Sequence, residues 1–167
     1  MTIKEYKKEI SDAIKNNLDK RFPNSSIEHA KILVKEIINN SDKEVFSLSS
    51  NFNQDFYLSL EKEIRNFLNK PNSKFNLIVA NDENGIISKL KKEYPNQFVV
   101  RFIEKNEMPI DKNSQEHVNY IVNDKNAYRY EYSDKNIDIG IVEAIANFNN
   151  PEESKILLDN FNKLLSK

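Results

Sequence analysis

The stretch Glu116-His117-Val118-Asn119-Tyr120-Ile121-Val122-Asn123-Asp124 decides how the second half of this chain is read. Val118, Tyr120 and Val122 alternate with His117, Asn119 and Ile121, a period of two that predicts a strand. Asp124-Lys125-Asn126 follows as a hairpin turn. Tyr128, Tyr130 and Tyr132 then alternate with Arg129 and Glu131, so a second strand should fold back antiparallel on the first. A tyrosine ladder within the sheet is the common use of such a row. Stacking on the bases of single-stranded nucleic acid is the other, with Tyr130 as its candidate binding residue.

Upstream, the chain alternates between strand and helix. Glu44 to Ser49 reads as a strand, Phe56 to Leu68 as a helix with a stripe of Phe56, Leu60, Ile64, Phe67 and Leu68, and Phe75 to Ala80 as a second strand. Asn84-Gly85 precedes a short helix with Ile86, Ile87, Leu90 and Tyr94 inward, and Phe98 to Ile103 is a third strand. Strand–helix–strand–helix–strand predicts a parallel α/β sheet with right-handed crossovers. Ser49, Ser50 and Asn51 lie past the carboxyl end of the first strand, where open α/β sheets bind ligands, and are candidate binding residues.

The flanks are helical. Thr2 and Glu5 have capping-box spacing ahead of Ile3, Tyr6, Ile10, Ala13, Ile14 and Leu18. Pro23-Asn24 interrupts, and Ser25 with Glu28 repeats the signal before Ile27, Ala30, Leu33, Val34, Ile37 and Ile38. Residues 1–40 therefore read as a helical extension packed on a domain spanning 41–167, one structural unit overall. Residues 105–115 carry Pro109 and no long apolar run, and read as a loop; Ile137 to Val142 reads as another strand. Asn150-Pro151 has the form of an N-cap followed by proline at the first helical position, opening a helix to about Leu165.

Composition narrows the functions. The chain has 167 residues, long enough for one domain with a sizeable core. Its 25 basic and 26 acidic residues leave a net charge of −1, without the basic excess of a protein built on nucleic-acid backbone. Lys89, Lys91 and Lys92, with Lys70 and Lys74, are diluted by Asp82, Glu83 and Glu93 and read as a solvated face. Absence of cysteine removes disulfides and thiolate zinc sites, and two histidines exclude a histidine-rich metal centre. Two glycines cannot build the nucleotide-binding fingerprints that need three. No segment spans a bilayer and the first residues carry no signal-peptide core, so the expectation is a cytoplasmic protein without cofactor or metal.

His117 and Asp124 fall on the first and last positions of the pattern His-x-Lys-(x)4-Asp, with Asn119 where the lysine should be. Together with the order of elements over residues 27–165, this resembles the phospholipase D superfamily. The resemblance implies a mixed β-sheet flanked by helices. It also implies a histidine that attacks phosphorus, a lysine that balances phosphoryl charge, an aspartate that orients the histidine, and a site completed by two motif copies. The departures bear on activity. A neutral amide replaces the ammonium, and loss of one such donor costs about 10²–10³ in rate. Glu131-Tyr132-Ser133 stands near the place of the family's Gly-Ser pair, and Ala146-Asn147-Phe148 resembles a later family segment but lies far downstream. The expectation is a catalytically degenerate lobe acting as a binding or assembly module in a bacterial multi-component system. Its partners would be protein, a second copy meeting it at the His117 strands, or nucleic acid. The rival is a phosphodiesterase or nuclease using His117 across a homodimer, with Lys125 or Lys135 as the replacement cation.

Overall fold

Seven strands form one mixed sheet in the order β1-β7-β6-β5-β2-β3-β4. The computed structural model describes residues 1–80 and 85–167. In chain order the elements are α1 (Ile3–Lys15), β1 (Arg21–Ser26), α2 (Ile27–Asn39), β2 (Glu44–Ser49), α3 (Gln54–Leu58), α4 (Glu61–Leu68), β3 (Lys74–Val79), α5 (Gly85–Glu93), β4 (Phe98–Phe102), β5 (Asn119–Asn123), β6 (Tyr128–Ser133), β7 (Ile141–Asn147) and α6 (Pro151–Leu165). The expected parallel half is present: β2, β3 and β4 run parallel in register, Val45 beside Phe75 beside Phe98. The expected hairpin is present too, with Tyr120 opposite Tyr130 and Val122 opposite Tyr128. The anticipated Asn84-Gly85 turn, and the acidic Asp82 and Glu83, lie at or outside the edge of the described residues.

Alternation along the strands sorts side chains into two layers. Val45, Phe75, Leu77, Phe98 and Ile121 pack under the helices α1 to α5. Leu48, Ile78, Val118, Tyr120, Val122 and Tyr128 pack against Leu157, Phe161 and Leu164 of α6. Helix α2 holds the first layer down with Ala30, Leu33, Val34, Ile37 and Ile38, all buried. Burying a side chain of the larger kind contributes about 1.5–3 kcal/mol relative to exposure.

Five expectations need correction. Residues 21–26 are an edge strand pairing antiparallel with β7, Phe22 opposite Ala146, rather than a break between two helices. Serine 26, not Ser25, caps α2, its Oγ accepting from the His29 N–H. Leu18 is 44% exposed because α1 ends before it: Asn17 adopts a left-handed φ of 51°, and Leu18 N–H reaches back to Ala13 C=O at 2.9 Å. The helix expected over 56–68 breaks at Ser59, whose hydroxyl donates to Phe56 C=O at 2.6 Å and competes with the helical ladder. Residues 137–139 form a short 3₁₀ turn ended by Gly140 at φ 78°, so the last strand begins at Ile141.

Candidate functional site

Asn119 opens β5 at the carboxyl end of the parallel strands, opposite Ser49 of β2 and Glu131 of β6. Its side chain lies on the α2 and α3 side of the sheet, and its amide is used in both directions. Oδ1 accepts the N–H groups of Ser50 at 2.8 Å and Asn51 at 3.3 Å, while Nδ2 donates to Glu131 Oε1 at 2.9 Å. Glu131 Oε2 in turn accepts from Arg129 Nη2 at 2.5 Å, and Arg129 Nε donates to Asn24 Oδ1 of β1 at 2.8 Å. The network continues outward through Asn51. Its Nδ2 donates to Asp134 at 2.7 Å, and its Oδ1 accepts from Lys105 Nζ at 2.5 Å. Arg129 is 5% exposed and Glu131 7%. A buried pair of this kind is sustained by the neutral hydrogen bonds around it.

Ser49, Ser50 and Asn51 are therefore brought together with Asn119. Ser50 Oγ adds a bond to Val118 C=O at 2.6 Å. Beside them Tyr57 of α3 shares a 3.0 Å hydrogen bond with Ser47, and burial raises its phenol above the ordinary value. A cavity of about 70 Å³ opens here, walled by Val34, Phe56 and Ile121 and floored by Ser47, Arg129 and Glu131. That is room for a few water molecules, well below the roughly 300–1,000 Å³ of ordinary small-molecule sites.

The remaining candidates fall elsewhere. Asp124 sits at the turn end of β5, where its carboxylate accepts the backbone N–H groups of Asp42 at 3.0 Å and Lys43 at 2.8 Å. It anchors the start of β2, so the aspartate-to-histidine contact implied by the resemblance is not made. His117 precedes β5, bridged to Ile110; its Nδ1 is buried without a hydrogen-bond partner. Tyr130 lies on the other face of the sheet, stacked on Tyr120 at 6.4 Å, because alternation turns it away from Arg129 and Glu131. Desolvation pushes its phenol up to about 12. Of the two cations considered as replacements, Lys125 pairs with Asp42 at the turn end and Lys135 with Glu116 at 3.2 Å. Lys105, which reaches the Asn119 network through Asn51, gave no signal in the sequence. Neither did Asn24, which lies on a strand whose polar residues and proline read as a turn.

Superposition on solved structures identifies the architecture. The chain matches NucT from Helicobacter pylori over 89% of its own length and 97% of that chain, with TM-score 0.64 and 13% identity. It matches Nuc from Salmonella typhimurium, a phospholipase D family member, over 87% and 93%, with TM-score 0.58 and 13% identity. The fold is that of the phospholipase D superfamily. A third match is to TrmBL2, an archaeal chromatin protein, over 98% of this chain but 60% of that one, with TM-score 0.65 and 12% identity. No family model and no curated protein sequence matches the chain. Among the described residues no helix is long and apolar enough to cross a membrane, and no group of three or more His, Cys, Asp or Glu side chains is placed to hold a metal ion.

Proposed function

We propose that this phospholipase D-like domain is catalytically degenerate and serves as a binding and assembly module. The observation that carries the reading is the Glu131 carboxylate, buried on the face of the sheet that bears Asn119 and held by the Asn119 amide and the Arg129 guanidinium. In this reading Asn119 stands at the motif's lysine position and Glu131 near its glycine. A phosphate brought to Asn119 would meet a carboxylate, and like charges about 4 Å apart repel by about 4 kcal/mol at an effective dielectric of 20. Arg129, the guanidinium that would offset this, is already committed to Glu131. His117 makes no contact with Asp124, the partner the resemblance assigns it, so the groups that would activate a nucleophile are dispersed.

The experiment is hydrolysis of bis-p-nitrophenyl phosphate and of single-stranded DNA in the presence of chelator. No turnover above buffer is the expected result. Turnover that His117→Ala abolishes would overturn the reading in favour of a divergent phosphodiesterase. For the binding partner, protein or a second copy is the first choice, given the net charge of −1. TrmBL2 is described as binding DNA by a novel mode, which makes nucleic acid the alternative. Anisotropy of a labelled duplex at low salt separates them: affinity that falls steeply with salt would favour nucleic acid.

A further inference from the structure

The two edges of the sheet are treated differently. Edge strand β1 carries Pro23 in mid-strand, a register irregularity between Asn24 and Ser26, and polar residues along most of its length. Proline, bulges and polar edges are the usual devices against strand addition. Edge strand β4 reads Phe98-Val99-Val100-Arg101-Phe102, with no proline, no bulge and Arg101 as its one polar residue. Its ladder to β3 begins with Phe75 N–H to Gln97 C=O at 2.8 Å and ends with Ile103 N–H to Val79 C=O at 3.1 Å. Alternation within a parallel ladder then turns Val99 and Arg101 inward to β3, and leaves the N–H and C=O of Val100 and Phe102 pointing away from the sheet. At Phe98 the outward N–H is already taken by Tyr94 C=O at 2.9 Å, and its C=O remains. Val99 is 40% exposed and Phe102 37%.

We propose that β4 is a pairing edge, along which two copies of this chain join antiparallel about a two-fold axis at Val100 into one continuous sheet. The edge is self-complementary in that register. Val100 exchanges both backbone hydrogen bonds with its own copy across the axis. The free Phe98 C=O of each chain meets the free Phe102 N–H of the other, while the occupied Phe98 N–H is not called upon. On the α5 face Phe102 covers the partner's Phe98. On the α6 face Arg101 lies opposite the partner's Val99, so no like charges face each other. The Arg101 guanidinium is moreover turned back onto the C=O groups of Leu165 and Lys167. A closed two-fold contact of this kind gives a dimer and not a fibre. Five residues bury less than a standard interface, so the dimer is weak, with a dissociation constant on the order of 100 μM. None of this depends on the chemistry at Asn119.

The test is sedimentation equilibrium of the full chain from about 10 μM to about 1 mM, with amide exchange at both ends of the range. The expected result is a concentration-dependent dimer. Exchange at Val100 and Phe102 should slow with concentration, while Val99 and Arg101, bonded to β3, should be protected throughout. Val100→Pro removes an N–H that the fold does not use and should abolish the dimer, while lowering the urea midpoint only by what the Val100 side chain contributes in packing against the core. Phe102→Glu places two carboxylates at the contact and should do the same, which keeps the test decisive if the proline variant misfolds. A monomer of 19.6 kDa at every concentration, or a dimer that both variants leave intact, overturns the proposal.

Discussion

The two ends of the β5–β6 hairpin each hold a carboxylate, and they use it in opposite ways. At the open end Glu131 is buried, bonded to Asn119 and Arg129 and tied through them to β1 and β2. At the turn end Asp124 is exposed and receives two backbone N–H groups from the start of β2. The sequence pattern draws attention to Asp124 and treats Glu131 as a departure from it. The structure reverses that weight. Position in a motif says where a side chain stands along a strand, whereas its energetic role follows from burial and from the groups that meet it.

Breaking the open end should produce the largest effect. Arg129→Met leaves Glu131 buried without its cation, and losing one partner of a buried pair costs about 3–5 kcal/mol. Arg129→Met combined with Glu131→Leu removes both charges together and should recover most of that loss, to within about 1 kcal/mol of the parent. Urea unfolding of the two single variants and the double variant measures the coupling directly. A coupling energy below about 1 kcal/mol would mean that the pair is solvated, and the contrast between the two ends would disappear.

The next effect is alkaline. Tyr120 and Tyr130 stack at the open end, and desolvation raises both phenols, Tyr130 to about 12 from an ordinary 10.0. Tyr6, under α2, is likewise pushed up to about 12 by burial. A group whose folded value is raised keeps its proton in the native state after the unfolded chain has lost it. Stability is therefore complete below about pH 10 and declines as pH rises towards 12. Urea midpoints measured across that window should fall, and Tyr130→Phe should reduce the slope. An unchanged slope in that variant would place the tyrosine in solvent.

Much of the fold was legible because long apolar periods dominate it. The shift between helical and strand periodicity marks β2, β3, β4 and the helices between them, and Asn150-Pro151 marks the start of α6. Edge strand β1 was not legible. It is short, polar and contains Pro23, all features of a turn, and only its pairing with β7 makes it a strand. The network was half legible. Ser49, Ser50, Asn51 and Asn119 could be flagged by their place at strand ends, but Arg129 and Glu131 look like the solvent face of an ordinary hairpin. Their burial comes from α1 and α2 closing over the sheet, a long-range contact with no local periodicity. The hairpin itself is fixed by Asn123, whose Oδ1 accepts from Lys125 N–H at 2.9 Å and Ala127 N–H at 3.0 Å, rather than by Asp124.

At the turn end the effect should be modest. Asp124→Ala removes two exposed hydrogen bonds to backbone, each contributing about 0.5–1.5 kcal/mol, and solvent can replace them in part. A loss of about 1 kcal/mol by urea unfolding is expected, with the far-ultraviolet spectrum unchanged. A loss as large as that of Arg129→Met would show Asp124 to be the more important carboxylate after all.

The smallest effect is expected at the residue that the motif places first. His117 lies just before β5, and its Nδ1 is buried with no hydrogen-bond partner. An unsatisfied buried nitrogen is a cost to the fold, about 1–3 kcal/mol when nothing compensates it. Leucine fills a similar space and brings no polar atom. His117→Leu should accordingly be neutral, or raise stability by up to about 1 kcal/mol, partial solvation of the ring absorbing the rest of that cost. In an enzyme the same nitrogen would be retained at a cost to stability because the reaction needs it, and a partner would hold the ring in line with the bond being broken. Urea unfolding of His117→Leu thus reads the site without any substrate. A gain or no change marks an imidazole that the fold does not need, as in a degenerate site. A loss above about 1 kcal/mol would reveal a partner for the ring that the native protein maintains, and the case for residual chemistry at this end of the hairpin would reopen.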